Sequence, residues 1–358
     1  VDHGIAESSA EYLNNATNWT ELMQIDAHTH ILSLAEDAEF TTEYGREGSL
    51  CIYRSLGLLP SHRPPTEEEW EASGYSRKGF PVIGPDESVR DHPGFDKIVI
   101  LAVSPQFLDG ELIGTVDTYG ITGVPGPPTP EKCNDYIAAI AAARPDTFIG
   151  YASVNPAYRG PAAAVRELER AVLDLGLTGL KLYPMYQDWS PADPVTAFPV
   201  FAKAEELGIP VMVHQAGSTR IDARMEYARP ALLDAAGRHF RDLRLTIAHC
   251  GLPWVDEAMF MLTKHPNFYA ELSYHIASVT TEELLRFLVH AEASFVPLEK
   301  LFFGTDYPGF LYDPVKLRAK LLDVNSHAER VGCDPIPQAR LDGILGDNYA
   351  RMLGLLQA

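Results

Sequence analysis

The sequence predicts a (β/α)8 barrel of the TIM type, a single domain carrying a long insertion after its first strand. From residue 23 onward, short apolar segments alternate with helical ones, and eight strand segments can be counted. Several of these strands end in His, Lys or Asp, as expected where the C-terminal ends of all strands meet at one mouth. A doubly wound open sheet is the alternative. No G-x-G-x-x-G follows the first strand, however, and that fold does not need eight strands ending in ligand-type residues.

Residues 1–22 are polar, with Asn14, Asn15, Thr17 and Asn18 close together, and are expected to lie over the outside of the fold. The first strand is MQIDAH. Residues 33–96 show no sustained period and hold Pro, Gly and charged clusters such as SHRPPTEEEW, so this insertion reads as a lid or binding excursion. KIVILAV is a buried strand by its continuous β-branched run. A Gly- and Pro-rich loop follows, closed by a helix over CNDYIAAIAAARP. TFIGYASV is the third strand, and PAAAVRELERAVLDLG an amphipathic helix stopping at Gly176. The same unit then recurs: TGLKLYP with VTAFPVFAKAEELG, IPVMVHQAG with ARPALLDAAGRHF, LRLTIAHCG with WVDEAMFMLTKHP. NFYAELSYH pairs with TEELLRFLVHAEA, and KLFFGTDYP with DPVKLRAKLLD. PQARLDGILGDNYARMLGL reads as a terminal helix packed on the barrel.

A chain of 358 residues with 46% hydrophobic content can bury a sizeable core. Lys and Arg total 29 against 49 Asp and Glu, a net charge of −20 that repels phosphate backbones and anionic membrane surfaces. Neither nucleic acid nor membrane is an expected partner. Cys51, Cys133, Cys250 and Cys333 are scattered without C-x-x-C spacing, which argues against a disulfide framework and against a cysteine zinc site. A cytoplasmic location is the expectation, since no stretch approaches the roughly 18 apolar residues of a membrane span.

In QIDAHTHIL, His28 and His30 are two apart on an extended strand, share a face, and can present both imidazoles to one point. That is half of a four-coordinate metal site. Lys181 ends the fourth strand, His214 the fifth, His249 the sixth and Asp306 the eighth. Singly, each has a plain role: a hydrogen-bonded histidine, a helix N-cap for Asp306, a lysine snorkelling out of the barrel. Gathered at one mouth, they point to a metal-dependent active site.

The set HTH, VMVHQAG, TIAHCG and FGTDYP, in that order at successive strand ends, resembles the amidohydrolase superfamily. Within it the chain is similar to the branch that includes amino-carboxymuconate-semialdehyde decarboxylase, related aromatic-acid decarboxylases and lactonases. The resemblance runs from about residue 23 to the C-terminus. It implies one divalent ion held by His28, His30, His214 and Asp306, zinc most often, with manganese as the other candidate. It also implies that His249 is the catalytic imidazole and that Asp306 accepts a proton while touching the metal. In binuclear members the lysine ending strand four is carboxylated and bridges two metals. That arrangement would make Lys181 the bridge and put His214 and His249 on the second ion, although the branch resembled is usually mononuclear. Several aromatic-acid decarboxylases of the branch carry Glu where this chain has His28, a departure that favours hydrolysis.

The loops around the mouth carry Tyr183, Tyr186, Trp189, Arg220, Tyr274, His275 and Tyr307. Aromatic walls with a cation suit a small cyclic or aromatic carboxylate substrate, and Lys181, Arg220, Tyr183 and His275 are the binding candidates. The first expectation is a hydrolase in which a metal-activated water attacks a lactone, ester or amide carbonyl. The second is a non-oxidative decarboxylase of an aromatic or muconate-type acid, and the third a non-catalytic metal-binding barrel. A homodimer is compatible with apolar anchors such as Trp70 and Phe80 in the insertion.

Overall fold

The computed structural model describes residues 22–31, 66, 68, 69, 83–108, 111–113, 128–218, 223–308 and 313–356. Most of the insertion, including Trp70 and Phe80, lies outside the described residues, as do residues 1–21. Eight strands form one sheet in chain order: β1 (Ile25–Thr29), β2 (Lys97–Leu101), β3 (Phe148–Ser153), β4 (Gly179–Leu182), β5 (Val211–Val213), β6 (Leu245–Ile247), β7 (Phe268–Glu271) and β8 (Leu301–Phe302). Every neighbouring pair is parallel. The ring closes between β1 and the chain after β8. Ala27 N donates to Phe303 O at 3.0 Å, Asp306 N to His28 O at 2.7 Å, and Thr29 bridges Tyr307 in parallel. A helix follows each strand, from α1 (Pro85–Asp91) and α2 (Pro130–Ala143) through α3 (Pro161–Leu173), α4 (Phe198–Glu206), α5 (Asp234–His239), α6 (Val255–Lys264) and α7 (Thr281–Ala293) to α8 (Pro314–Leu322). This is the (β/α)8 barrel the alternation predicts.

Local chemistry sets the helix ends. Thr280 and Glu283 form a reciprocal capping box at the start of α7, and Asp313 caps α8 by accepting from Val315 N and Lys316 N. The helix after β8 is therefore capped by Asp313, which leaves Asp306 free of that duty. Two segments depart from the pattern reading. In ARPALLDAAGRHF only α5 is a regular helix, preceded by a tight turn over Pro230–Leu233, and within the Gly- and Pro-rich loop Gln106–Leu108 pairs antiparallel with Glu111–Ile113.

The barrel interior is filled near its N-terminal end by Ile25, Ala27, Val99, Leu101, Tyr151, Met212, Ala248 and Phe302, together with Tyr349, Ala350 and Met352 of the C-terminal helix. That last segment closes the floor. Met23 N donates to Asp347 Oδ1 at 2.9 Å, Phe303 N to Ile344 O at 2.8 Å, and the Tyr349 and Tyr151 hydroxyls meet at 2.7 Å. With the floor sealed, the opposite mouth is left for chemistry. Among the described residues no helix is long and apolar enough to cross a membrane.

The floor is packed backbone to backbone at Gly346, where an added methyl would run into the Met23 carbonyl and the Ile25 amide. Gly346→Ala should therefore cost about 3 kcal/mol, the upper end of overpacking penalties, because backbone cannot move aside as a side chain can. The denaturation midpoint in urea checks this. An unchanged midpoint would mean that the C-terminal helix does not seat against β1.

Candidate active site

Strand alternation alone would not bring the two β1 histidines to the mouth. Ile25 and Ala27 point into the barrel floor, so strict alternation would turn His28 toward the helices. Instead, Asp26 pairs with Ile98 and Thr29 with Ile100, so β1 spends one residue more than β2 over this span. This bulge switches the phase. His28 and His30 then turn inward with ring centroids 5.4 Å apart, and each Nε2 lies 3.3 Å from Asp306 Oδ1. The other two contributions also come from irregular backbone. Asp306 has φ 57°, and His249 and Cys250 have φ 55° and 51°, the left-handed region that L-residues seldom adopt.

His28, His30 and Asp306 offer ligand atoms that all lie within 4.8 Å of one another. Burial and the nearby Lys181 push His28 well below the usual imidazole range, so it is neutral. Burial opposes ionisation of Asp306, but His28, His30 and Lys181 outweigh it and hold the carboxyl at about 2. Each ring nitrogen of His30 faces an acceptor, Nδ1 toward Leu101 O and Nε2 toward Asp306 Oδ1, both at 3.3 Å. A neutral imidazole has one proton for these two contacts. His28 differs: Glu271 Oε1 lies 2.7 Å from Nδ1, while Nε2 faces both Asp306 Oδ1 and the Lys181 ammonium at 3.3 Å. A cation among His28, His30 and Asp306 would take the Nε2 lone pair of His30 in place of that contact, and two imidazoles with a carboxylate are a donor set that fits a divalent metal.

The remaining predicted residues fall in three places. His214 and His249 adjoin the cluster, with His249 Nε2 3.2 Å from His214 Nδ1, while His214 Nε2 is buried without a hydrogen-bond partner among the described residues. Burial drives both well below the ordinary imidazole range. Lys181 is fully buried with Nζ 3.3 Å from His28 Nε2 and 5.2 Å from the Tyr183 ring, so it does not snorkel. Burial lowers its ammonium to about 8, against the pull of Glu271 and Asp306. Tyr183 donates to Ala102 O at 3.1 Å, and burial raises its phenol well above the usual range. His275 points elsewhere: its ring packs edge-on against Phe287 of α7 at 4.6 Å, and burial lowers it to about 4. Arg220 lies outside the described residues.

Two residues that the sequence reading passed over organise the site. Glu271 ends β7, is fully buried, and accepts from His28 Nδ1 (2.7 Å), His249 N (2.6 Å), Ser273 N (2.8 Å) and Ser273 Oγ (3.1 Å). Asp26, also fully buried, accepts from Thr305 N (3.0 Å), Thr305 Oγ1 (2.5 Å) and His28 N (3.2 Å), and lies 3.2 Å from His92 Nε2 just past α1. Its contacts fix the residue beside Asp306. The rule that found His214 and His249 at strand ends would also have found Glu271.

The family model described as Amidohydrolase matches residues 25–355, and the chain belongs to that family. It is therefore an enzyme of the amidohydrolase superfamily. Over 204 residues it is 26% identical to the 2-amino-3-carboxymuconate-6-semialdehyde decarboxylase of Dictyostelium discoideum, covering 49% of this chain and 55% of that protein. Over 107 residues it is 30% identical to the gamma-resorcylate decarboxylase of Rhizobium radiobacter, covering 28% of this chain and 32% of that one. The chain thus aligns with about half or less of these curated relatives. A 2,6-dihydroxybenzoate decarboxylase solved with 2,6-dihydroxybenzoate superposes with a TM-score of 0.60 at 17% identity, covering 93% of this chain and 100% of that one, which bears out the fold.

Thr305→Val tests the support beneath Asp306. It removes the hydroxyl that donates to Asp26 and accepts from Tyr307 N at 3.2 Å, at nearly constant volume. The expected loss is about 1–3 kcal/mol in equilibrium unfolding, because buried acceptor and donor are left unmatched. A loss within about 0.3 kcal/mol would show that Asp26 does not depend on this contact.

Proposed function

We propose that the protein is a metal-dependent decarboxylase of a small aromatic or muconate-type carboxylic acid, using one divalent ion, with zinc as the first candidate. The observation that carries this is the pair of curated relatives, both named as decarboxylases of such acids. Their names outweigh the inference toward hydrolysis drawn from His28. A single histidine-for-glutamate difference changes the ligand charge at the site, and does not by itself specify attack by water.

His28, His30 and Asp306 would hold the ion, with His214 adjoining them. When bound, the ion supplies positive charge that steadies an anionic substrate and the electron density released as its carboxylate departs. The chain's own residues do the rest. Lys181, buried beside His28, offers a second positive charge to the substrate's carboxylate or an adjacent oxygen anion. Asp306 is kept as a carboxylate and can take a proton from a substrate hydroxyl. His249 is neutral, with Nε2 turned toward His214 and the cluster, and can take up a proton there and return it. In the reaction a proton is added to the carbon bearing the carboxylate and the bond to that carboxylate breaks. Carbon dioxide leaves, and the bonding pair stays on the carbon skeleton. The buried setting of these groups limits competing protonation by water.

Incubation with hydroxybenzoates and muconate-type acids should release carbon dioxide from at least one, stop on chelation and resume when zinc or manganese is added back. Consumption of a lactone or amide panel with no carbon dioxide from any acid would overturn the assignment. On the accepted substrate, His249→Ala should lower kcat by about 10²–10⁴-fold, the range for a lost acid–base group. A kcat within about threefold of wild type would remove His249 from the proton path.

A further inference from the structure

Glu271 sits where four donors converge, and the directions of those hydrogen bonds propagate. A carboxylate only accepts, so His28 must present Nδ1–H to it at 2.7 Å, leaving the Nε2 lone pair toward Asp306 and the Lys181 ammonium, each 3.3 Å away. Ser273 Oγ lies 3.1 Å from Glu271 Oε1 and 2.7 Å from His249 Nδ1. If the hydroxyl donated to His249, its lone pairs would face the carboxylate. Donating to Glu271 removes that repulsion and makes Ser273 Oγ the acceptor for a proton on His249 Nδ1. That choice also places the protonated Nδ1 of His249 3.6 Å from Glu271 Oε1. His249 Nε2 then carries a lone pair and accepts from His214 Nδ1 at 3.2 Å. His214 Nε2, buried and without a hydrogen-bond partner among the described residues, is consequently a bare lone pair as well. The opposite assignment would strand a buried N–H donor there.

We propose that Glu271 is a positioning residue that sets the proton direction across the whole cluster. It holds His28 and, through Ser273, His249 as Nδ1–H tautomers, so that the lone pairs of His28 and His214 are left for a cation. One carboxylate at the end of β7 thereby specifies both the ligand character of β1 and the acid–base character of the turn after β6. His249 in its neutral form is an acceptor at Nε2. It takes a proton before it can give one. This deepens the reading of the cluster as a metal-dependent active site and rests on that reading for its functional meaning, while the tautomers themselves are measurable without substrate.

The test uses full-length protein with nitrogen-15-labelled histidine, as purified and after zinc addition. Long-range proton–nitrogen correlations distinguish a protonated Nδ1 from a protonated Nε2, with signals assigned by substituting each histidine. The expected result is Nδ1–H at both His28 and His249 in the wild type. Glu271→Gln should lose the single tautomer at both and bind zinc about 10–100-fold more weakly, the usual effect of removing a partner that orients a ligand. Ser273→Ala should change His249 only, with zinc affinity within about threefold of wild type. A proton on Nε2 of His249 in the wild type would overturn the proposal. So would a Glu271→Gln protein with unchanged tautomers and affinity, because a purely structural Glu271 would alter stability without moving protons. Should Glu271→Gln fail to fold, the wild-type tautomers and Ser273→Ala decide. Failure to find a decarboxylated substrate leaves these readings intact and removes only the reaction assignment.

Discussion

The buried carboxylate of Glu271 is the constraint around which the mouth of this barrel is arranged. A carboxylate taken out of water costs several kcal/mol unless donors replace its hydration, and here four N–H or O–H groups from β1, the turn after β6 and the start of the segment after β7 do so. Because the donors come from separate strands, satisfying one charge aligns three strand ends. A second carboxylate, Asp306, is partly buried across the His28 ring, 3.3 Å from its Nε2, with Lys181 as the buried cation whose ammonium feels both. The two carboxylates outweigh the one ammonium, and Asp26 adds a further buried carboxylate behind β1. A divalent cation at His28, His30 and Asp306 would offset that excess of negative charge, in keeping with a metal-dependent site.

Function is purchased at the points where regular strand geometry is abandoned. Ile25 and Ala27 obey alternation and fill the floor, and the bulge in β1 then lets His28 face inward directly after Ala27. Ala248 belongs to the same floor, and His249 turns toward the cluster by adopting a left-handed backbone. Asp306 does likewise after β8. Such conformations cost about 1–3 kcal/mol each and persist only where surrounding contacts impose them. Here Glu271 imposes the turn at His249 through its amide, and Asp26 imposes the turn at Asp306 through Thr305.

These departures explain which features were legible in the sequence. Apolar runs alternating with amphipathic helices gave the barrel, because burial on both faces of a parallel strand leaves a strong compositional trace. Residue types at strand ends singled out His28, His30, His214, His249, Lys181 and Asp306, which the fold brings together at one mouth. The pattern misdirected where a residue's chain position was taken for its direction. His275 follows β7 by a few residues, yet its ring packs outward on Phe287, whereas Glu271, the last residue of β7, carries the network. Asp26 was hidden in plain view within QIDAHTH, since an acidic residue in a strand announces nothing until its partners, 66 and 279 residues away, are known. The hairpin at Gln106–Leu108 and Glu111–Ile113 is three residues per strand, too short for periodicity to register.

The two buried carboxylates that support the cluster divide its chemistry between them. Asp26 works from the helix side of β1. It holds Thr305 and the His28 amide, and touches His92, whose Nδ1 lies 2.6 Å from Ser88 O on α1. Its contacts therefore set where the candidate ligand atoms of His28 and Asp306 stand. Glu271 works from the barrel side and sets which of those atoms carry protons. Position and protonation are thus fixed by different residues on opposite faces of the same strand. Neither requires a substrate, so the site is organised before anything binds, which is what electrostatic preorganisation demands.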